Sequence, residues 1–227
     1  MKNYYFKNSA LLIFLFSTFK VHAAAESQYW TSIQASAPIN SDFGFVAEYI
    51  NRYSEDDKEW VVRSNRVGFS YKFLENWTYA LQVENRDTNS NANNEIRYIN
   101  QFSRSWKSED FNFALRWRYE FREFNDSLAL QNRLRLLGRV DAHKFKFAGI
   151  TPITTFESFY ILNETTNARP AGATETRAQI GGSFKVLDND MELVYLARQQ
   201  YRPQNTGLPS RTSDYNVVSL VYKISIK

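Results

Sequence analysis

Residues 111–124 read FNFALRWRYEFREF, and this stretch decides the fold. Phe111, Phe113, Leu115, Trp117, Tyr119 and Phe121 share one parity, while Asn112, Arg116, Arg118, Glu120 and Arg122 share the other. Successive side chains of a pleated strand point to opposite faces, so the stretch has one aromatic face and one charged face. A helix would mix the two sets around its circumference. Soluble cores seldom set a row of arginines opposite each apolar strand face. Apolar residues outside with Arg and Glu inside are what a transmembrane β-barrel requires.

The same period recurs along the chain. Residues 43–53 place Phe43, Phe45, Ala47 and Tyr49 against Glu48 and Arg52. Residues 60–73 place Val67, Phe69, Tyr71 and Phe73 against Arg66, Ser70 and Lys72. Residues 77–87 set Trp77, Tyr79, Leu81 and Val83 against Gln82, Glu84 and Arg86, and 95–106 return with Ile96, Tyr98, Phe102 and Trp106 outward. After the opening stretch, 128–140 oppose Leu134 and Leu136 to Arg133, Arg135 and Arg139. Residues 177–187, 191–201 and 218–226 alternate in the same way, with Glu192 and Arg198 on the inward parity of the second of these. Residues 144–162 slip parity near Pro152, so a bulge at Thr151 and Pro152 is expected there to keep Glu157 inward.

Eleven strands can be read if residues 29–37 count as one, whereas bacterial barrels have an even number. Starting at Phe43 gives ten strands with consistent directions and leaves 29–37 unplaced; twelve requires one more strand. The expectation is an all-β transmembrane antiparallel barrel of about 10 to 12 strands. Connections alternate long and short after the second strand, with 54–59, 88–94, 163–175 and 202–213 on the long side. Outer-membrane barrels pair long outer loops with short periplasmic turns. Phe43, Phe73, Trp77, Trp106, Phe111 and Phe145 gather at the short ends as a membrane girdle.

Lys2 and Lys7, an apolar run over 10–19 and the small residues Ala23, Ala24 and Ala25 have the layout of a secretory signal peptide. Residues 1–25 are thus read as a signal and 26–227 as one outer-membrane barrel domain. Of 28 basic and 24 acidic residues, Lys2, Lys7 and Lys20 leave with the signal, so the mature chain is almost neutral. That balance argues against nucleic acid as a partner despite the interleaved arginines and aromatics. With no cysteine, a disulfide scaffold and thiolate zinc sites are excluded. The mean hydropathy of −0.51 excludes a helical membrane protein but not a barrel, in which only alternate residues meet lipid.

The inward set Glu48, Arg52, Glu84, Arg86, Arg116, Arg118, Glu120, Arg133, Arg135, Glu157 and Arg198 forms the expected lumen charge network, together with Arg66, Arg97, Glu95, Arg122, Arg139, Arg177 and Glu192. Lys72, Lys144, Lys146, Lys185 and Lys223 fall near the short-turn mouth. Catalysis has little to work with, because His143 is the one histidine beyond the signal and no phosphate loop or metal-ligand cluster is present. No cofactor is expected. Expected partners are outer-membrane lipid and, during insertion, the barrel-assembly machinery.

The chain resembles the bacterial outer-membrane β-barrel proteins grouped as "domain of unknown function 2490". The likeness rests on the Glu48 to Arg52 pair, Arg116-Trp-Arg118-Tyr, Arg133-Leu-Arg135-Leu and the stretch 152–159 with Glu157. It implies an outer-membrane barrel without an established activity. Three functional readings follow. The first is a structural or binding barrel with an Arg/Glu-filled lumen, the second a narrow anion-preferring channel, and the third a soluble periplasmic lipocalin-like carrier with its aromatic faces turned inward.

Overall fold

The computed structural model describes residues 26–89, 94–125, 130–163, 171–186, 189–200 and 213–226. The expected signal over 1–25 and the expected loop over 202–212 lie outside them, as do the side chains of 26, 197–200, 213–216 and 225. Eleven strands follow in order: β1 Glu26–Pro38, β2 Phe43–Ser54, β3 Glu59–Leu74, β4 Trp77–Thr88, β5 Glu95–Lys107, β6 Asn112–Phe124, β7 Gln131–Asp141, β8 Thr151–Ile161, β9 Gly172–Val186, β10 Asn189–Gln200 and β11 Ser213–Ser225. They close into one barrel in which each strand pairs with its sequence neighbours and β11 returns to β1. Closure satisfies both edges of every strand, which is the condition for a sheet to lie in lipid.

The wall is antiparallel except at its seam. β1 and β11 run parallel, in register from Glu26↔Tyr215 to Ser36↔Ser225. An odd number of up-and-down strands forces one parallel pair, since the first and last strands then point the same way. Eleven strands lie within the expected range, and residues 29–37, left unplaced by the ten-strand count, belong to a full wall strand that also pairs with β2 from Gln28↔Ser54 to Pro38↔Gly44. Its outward face of Tyr29, Thr31, Ile33 and Ala35 is small and mixed, and its largest side chain, Trp30, points inward and is buried. The period-two signal is therefore weakest on this strand.

Two boundaries also differ. The parity slip before β8 is not a bulge at Thr151 and Pro152. A 3-10 turn, His143–Phe145, and a small loop closed by the Phe147↔Ile150 bridge precede the strand, with Ala148 and Gly149 at φ of +49° and +83°. β7 and β8 then pair without a shift, and the register break of β8 lies on its other side, between Phe159 and Tyr160. The loop expected over 163–175 is shorter, because β9 begins at Gly172.

Along β6 the two faces separate by burial: Arg118, Glu120 and Arg122 are buried, whereas Leu115 is exposed on the outer wall. Phe69, Leu81 and Leu193 are 59%, 53% and 50% exposed on the same outer surface. An apolar outer wall around a charged interior is the inverse of a soluble carrier, so the lipocalin-like arrangement does not describe this barrel.

Candidate functional site

The inward parity builds a lumen of charges held between neighbouring strands. On the side of the longer connections, Glu95 of β5 is 1% exposed and receives Arg86, Arg97 and Arg122. Arg122 also donates to Gln131 Oε1 at 2.5 Å, and Arg97 reaches Glu84 at 3.3 Å. At mid-height, Glu120 has no solvent exposure and takes Arg133 on one oxygen and Arg135, at 2.9 Å, on the other. Arg135 bridges on to Glu157 at 2.9 Å, which Arg116 and Arg177 approach at 3.5 Å each. Desolvation would be costly for any of these ions alone; shared among several partners, it is offset by charge-assisted hydrogen bonds.

Toward the shorter turns, Glu48 accepts from Ser32, Gln34 and Arg66. Arg139 and Lys223 converge on Glu192. Arg139 crosses the lumen to do so, because β7 and β10 are separated by two strands. Of the sequence-predicted set, Glu48, Glu84 and Arg86 fall in one ion-pair cluster, linked through Arg66, Arg97 and Glu95, and Arg116, Arg118, Glu120, Arg133, Arg135 and Glu157 fall in a second. Arg52 stacks its guanidinium over Trp30, 3.8 Å from the ring centroid. Arg198 stands opposite Arg177 and Tyr215 in register, and its side chain lies outside the described residues.

Parity alone missed the aromatic component of the lumen. Trp30, Phe124 and Phe159 point inward and are buried, and Phe159 is ringed by the guanidinium groups of Arg177 at 4.4 Å, Arg135 at 4.6 Å and Arg133 at 5.3 Å. Each ring sits on the charged parity of its strand, two residues from Gln28, Arg122 or Glu157, and that was the available signal. Stacking on a ring lets a buried guanidinium keep a favourable contact on its flat face while its edge binds carboxylates. With Leu196 and Val217 packed on Trp30, these rings fill the half of the lumen nearest the longer connections.

The expected girdle residues lie on the outer wall beside the short turns and touch one another through neighbours. Phe43 stacks on Tyr71 at 4.7 Å, and Phe73 stands 6.3 Å from Trp77, which stacks on Trp117 at 5.8 Å. Trp106 stacks on Phe113 at 5.3 Å, and Phe111 lies 5.6 Å from Phe145. Arg104 spreads over Trp77 and Trp106 between these groups. Lys144, at the same rim, pairs with Asp110 and Glu109; their carboxylates raise its pKa above the ordinary lysine value. His143 is part of the rim turn, with Nε2 3.2 Å from the Glu109 carbonyl oxygen. Among the described residues no group of His, Asp or Glu is placed to hold a metal ion.

A solved structure described as the NanC porin shares this fold, with a TM-score of 0.50 at 12% identity over 76% of this chain and 85% of that one. The KdgM porin matches with a TM-score of 0.44 at 16% identity, over 84% and 94% of the two chains. No curated protein sequence matches. One family model matches residues 27–208, which is most of the barrel, and the chain therefore belongs to the family described as Protein of unknown function (DUF2490).

Proposed function

We propose that this protein is an outer-membrane β-barrel with a structural or binding role, stoppered by its own Arg/Glu network, and that it is not an enzyme. The observation that carries this reading is the burial of the network: Glu120 and Arg118, at mid-lumen, are 0% and 3% exposed, and Glu95, nearer the longer connections, is 1% exposed. A hydrated pore would leave such groups in contact with water. The apolar outer wall and the aromatic rim support residence in a bilayer, and lipid is the partner that this surface fits. The longer connections would face outward and the short turns the periplasm, after export directed by residues 1–25.

The anion-preferring channel has one observation in its favour. Arg116 and Lys223, on the short-turn side, keep 30% and 33% of their side chains exposed, so the lumen is basic where solvent reaches it. Planar-bilayer recording separates the two readings. The stoppered barrel should show conductance near baseline, and reproducible anion-selective steps in the wild type would overturn it.

A further inference from the structure

The short-turn half of the lumen holds a cavity of about 280 Å³ whose wall carries groups that the ion-pair network leaves under-used. Most charges on this wall are matched locally. Glu48 holds Arg66, Asp190 holds Lys185 at 2.9 Å, and Lys223 holds Glu192. Two guanidinium groups are matched less well. Arg116 finds its carboxylate, Glu157, only at 3.5 Å, and it is more exposed than Arg139 at 20% or Arg66 at 14%. Arg118 is buried, yet it spends two donors on the neutral Gln101 amide oxygen, at 2.7 and 3.1 Å, and stands 3.9 Å from Glu120.

A third group on the wall asks for the opposite partner. Gln82 is 7% exposed, and its buried Oε1 accepts no hydrogen bond. Gly68 leaves the room for this side chain, since a Cβ there would come within 2.7 Å of Gln82 Cγ. A buried acceptor of this kind calls for a donor. The wall thus offers two cationic forks, suited to a planar anion, beside one acceptor suited to a hydroxyl.

We propose that this cavity binds a small hydroxylated carboxylate, with the carboxylate on Arg116 and Arg118 and a hydroxyl donating to Gln82 Oε1. The proposal rests on the stoppered lumen, which makes the cavity a pocket entered from the short-turn side and not a segment of a pore. Its volume falls just below that of most ligand sites, which run from roughly 300 to 1,000 Å³, and so fits only a small molecule.

Calorimetry on the full-length barrel refolded in detergent tests it, with gluconate, pentanoate, sorbitol and inorganic phosphate as probes. Gluconate should bind, pentanoate should bind on the order of tenfold more weakly, and sorbitol should not bind. Gln82→Leu should bring gluconate down to the affinity of pentanoate while leaving pentanoate unchanged. Arg116→Gln should weaken both acids by on the order of tenfold to a hundredfold. Heat-modifiability on a gel reports whether each variant is folded. Equal binding of gluconate, pentanoate and phosphate by the wild type would reduce the site to a general anion trap and overturn the proposal, as would gluconate affinity indifferent to both substitutions or absent altogether. Bilayer recording on the same preparation keeps the two failures apart. A closed barrel that ignores gluconate sinks this site alone, whereas anion current sinks the stoppered lumen beneath it.

Discussion

The guanidinium of Arg135 meets the carboxylate of Glu120 at 2.9 Å at a point where Glu120 has no contact with solvent. Arg133 holds the other oxygen of the same carboxylate, so one glutamate is shared by two cations from the next strand. Glu120→Gln keeps the shape and removes the charge, leaving two buried cations facing a neutral amide. Breaking a buried pair in this way costs about 3–5 kcal/mol. Chemical denaturation of the refolded barrel should register a loss of that size with conductance still near baseline. A variant as stable as the wild type would mean that these charges are hydrated.

The outer wall should respond to charge according to depth. Leu81 lies mid-wall, opposite Phe69 and Asn100 in register, and Leu81→Arg should cost ~2–4 kcal/mol in a bilayer. Leu115 lies lower, opposite Arg104 and beside the Trp77 and Trp106 girdle, where headgroups can meet an arginine. Leu115→Arg should therefore cost less than Leu81→Arg, and Leu81→Phe should be mild. Unfolding from lipid vesicles ranks the three, and equal stability of all of them would mean that this face does not meet lipid.

The parallel seam makes an odd barrel directly testable. Ser32 and Val221 are register partners on the lumen side of β1 and β11. The chain has no cysteine of its own, so Ser32→Cys with Val221→Cys introduces a lone pair. Neighbouring strands lie ~4.8 Å apart, within the range a disulfide can bridge. Mild oxidation should give a cross-linked monomer of altered gel mobility, removed by reductant. A ten-stranded barrel that excluded β1 would give none.

Orientation follows from labelling intact cells with an impermeant thiol reagent. Asp57→Cys lies in the turn joining β2 and β3, and Glu109→Cys, at a side chain that is 89% exposed, lies at the opposite end in the turn joining β5 and β6. The first should label on whole cells and the second only after lysis. The reverse pattern would invert the barrel.

Gly68 tests the fit of wall against wall. A Cβ at this position would lie 2.2 Å from the Leu81 carbonyl oxygen, a backbone atom that cannot move aside without disturbing the β3–β4 ladder. Gly68→Ala should lower thermal stability by more than Gly138→Ala, where the nearest atom is the Leu115 side chain at 3.8 Å. Parallel melts of the two variants settle the comparison.

Period-two alternation by itself divided most strands into an apolar and a charged face, and the closed barrel decided which of the two turns outward. Lipid rejects charge and the confined lumen demands paired charge, so most residues of β3 to β6 carry that sorting locally. The same rule failed at Trp30, Phe124 and Phe159, because a ring on the charged parity can pack on guanidinium planes as readily as a ring outside can meet lipid. Closure was not legible either. Whether β1 joins the wall depends on edge hydrogen bonds with β11, nearly two hundred residues away in sequence, and backbone pairing leaves no mark on side-chain pattern. Nor did sequence assign the pairs: Arg139 finds Glu192 across the lumen, and Arg118 settles on Gln101 while Arg133 and Arg135 divide Glu120. Those choices follow from barrel radius and strand tilt, which set how far each arm must reach and exist only once the sheet has closed.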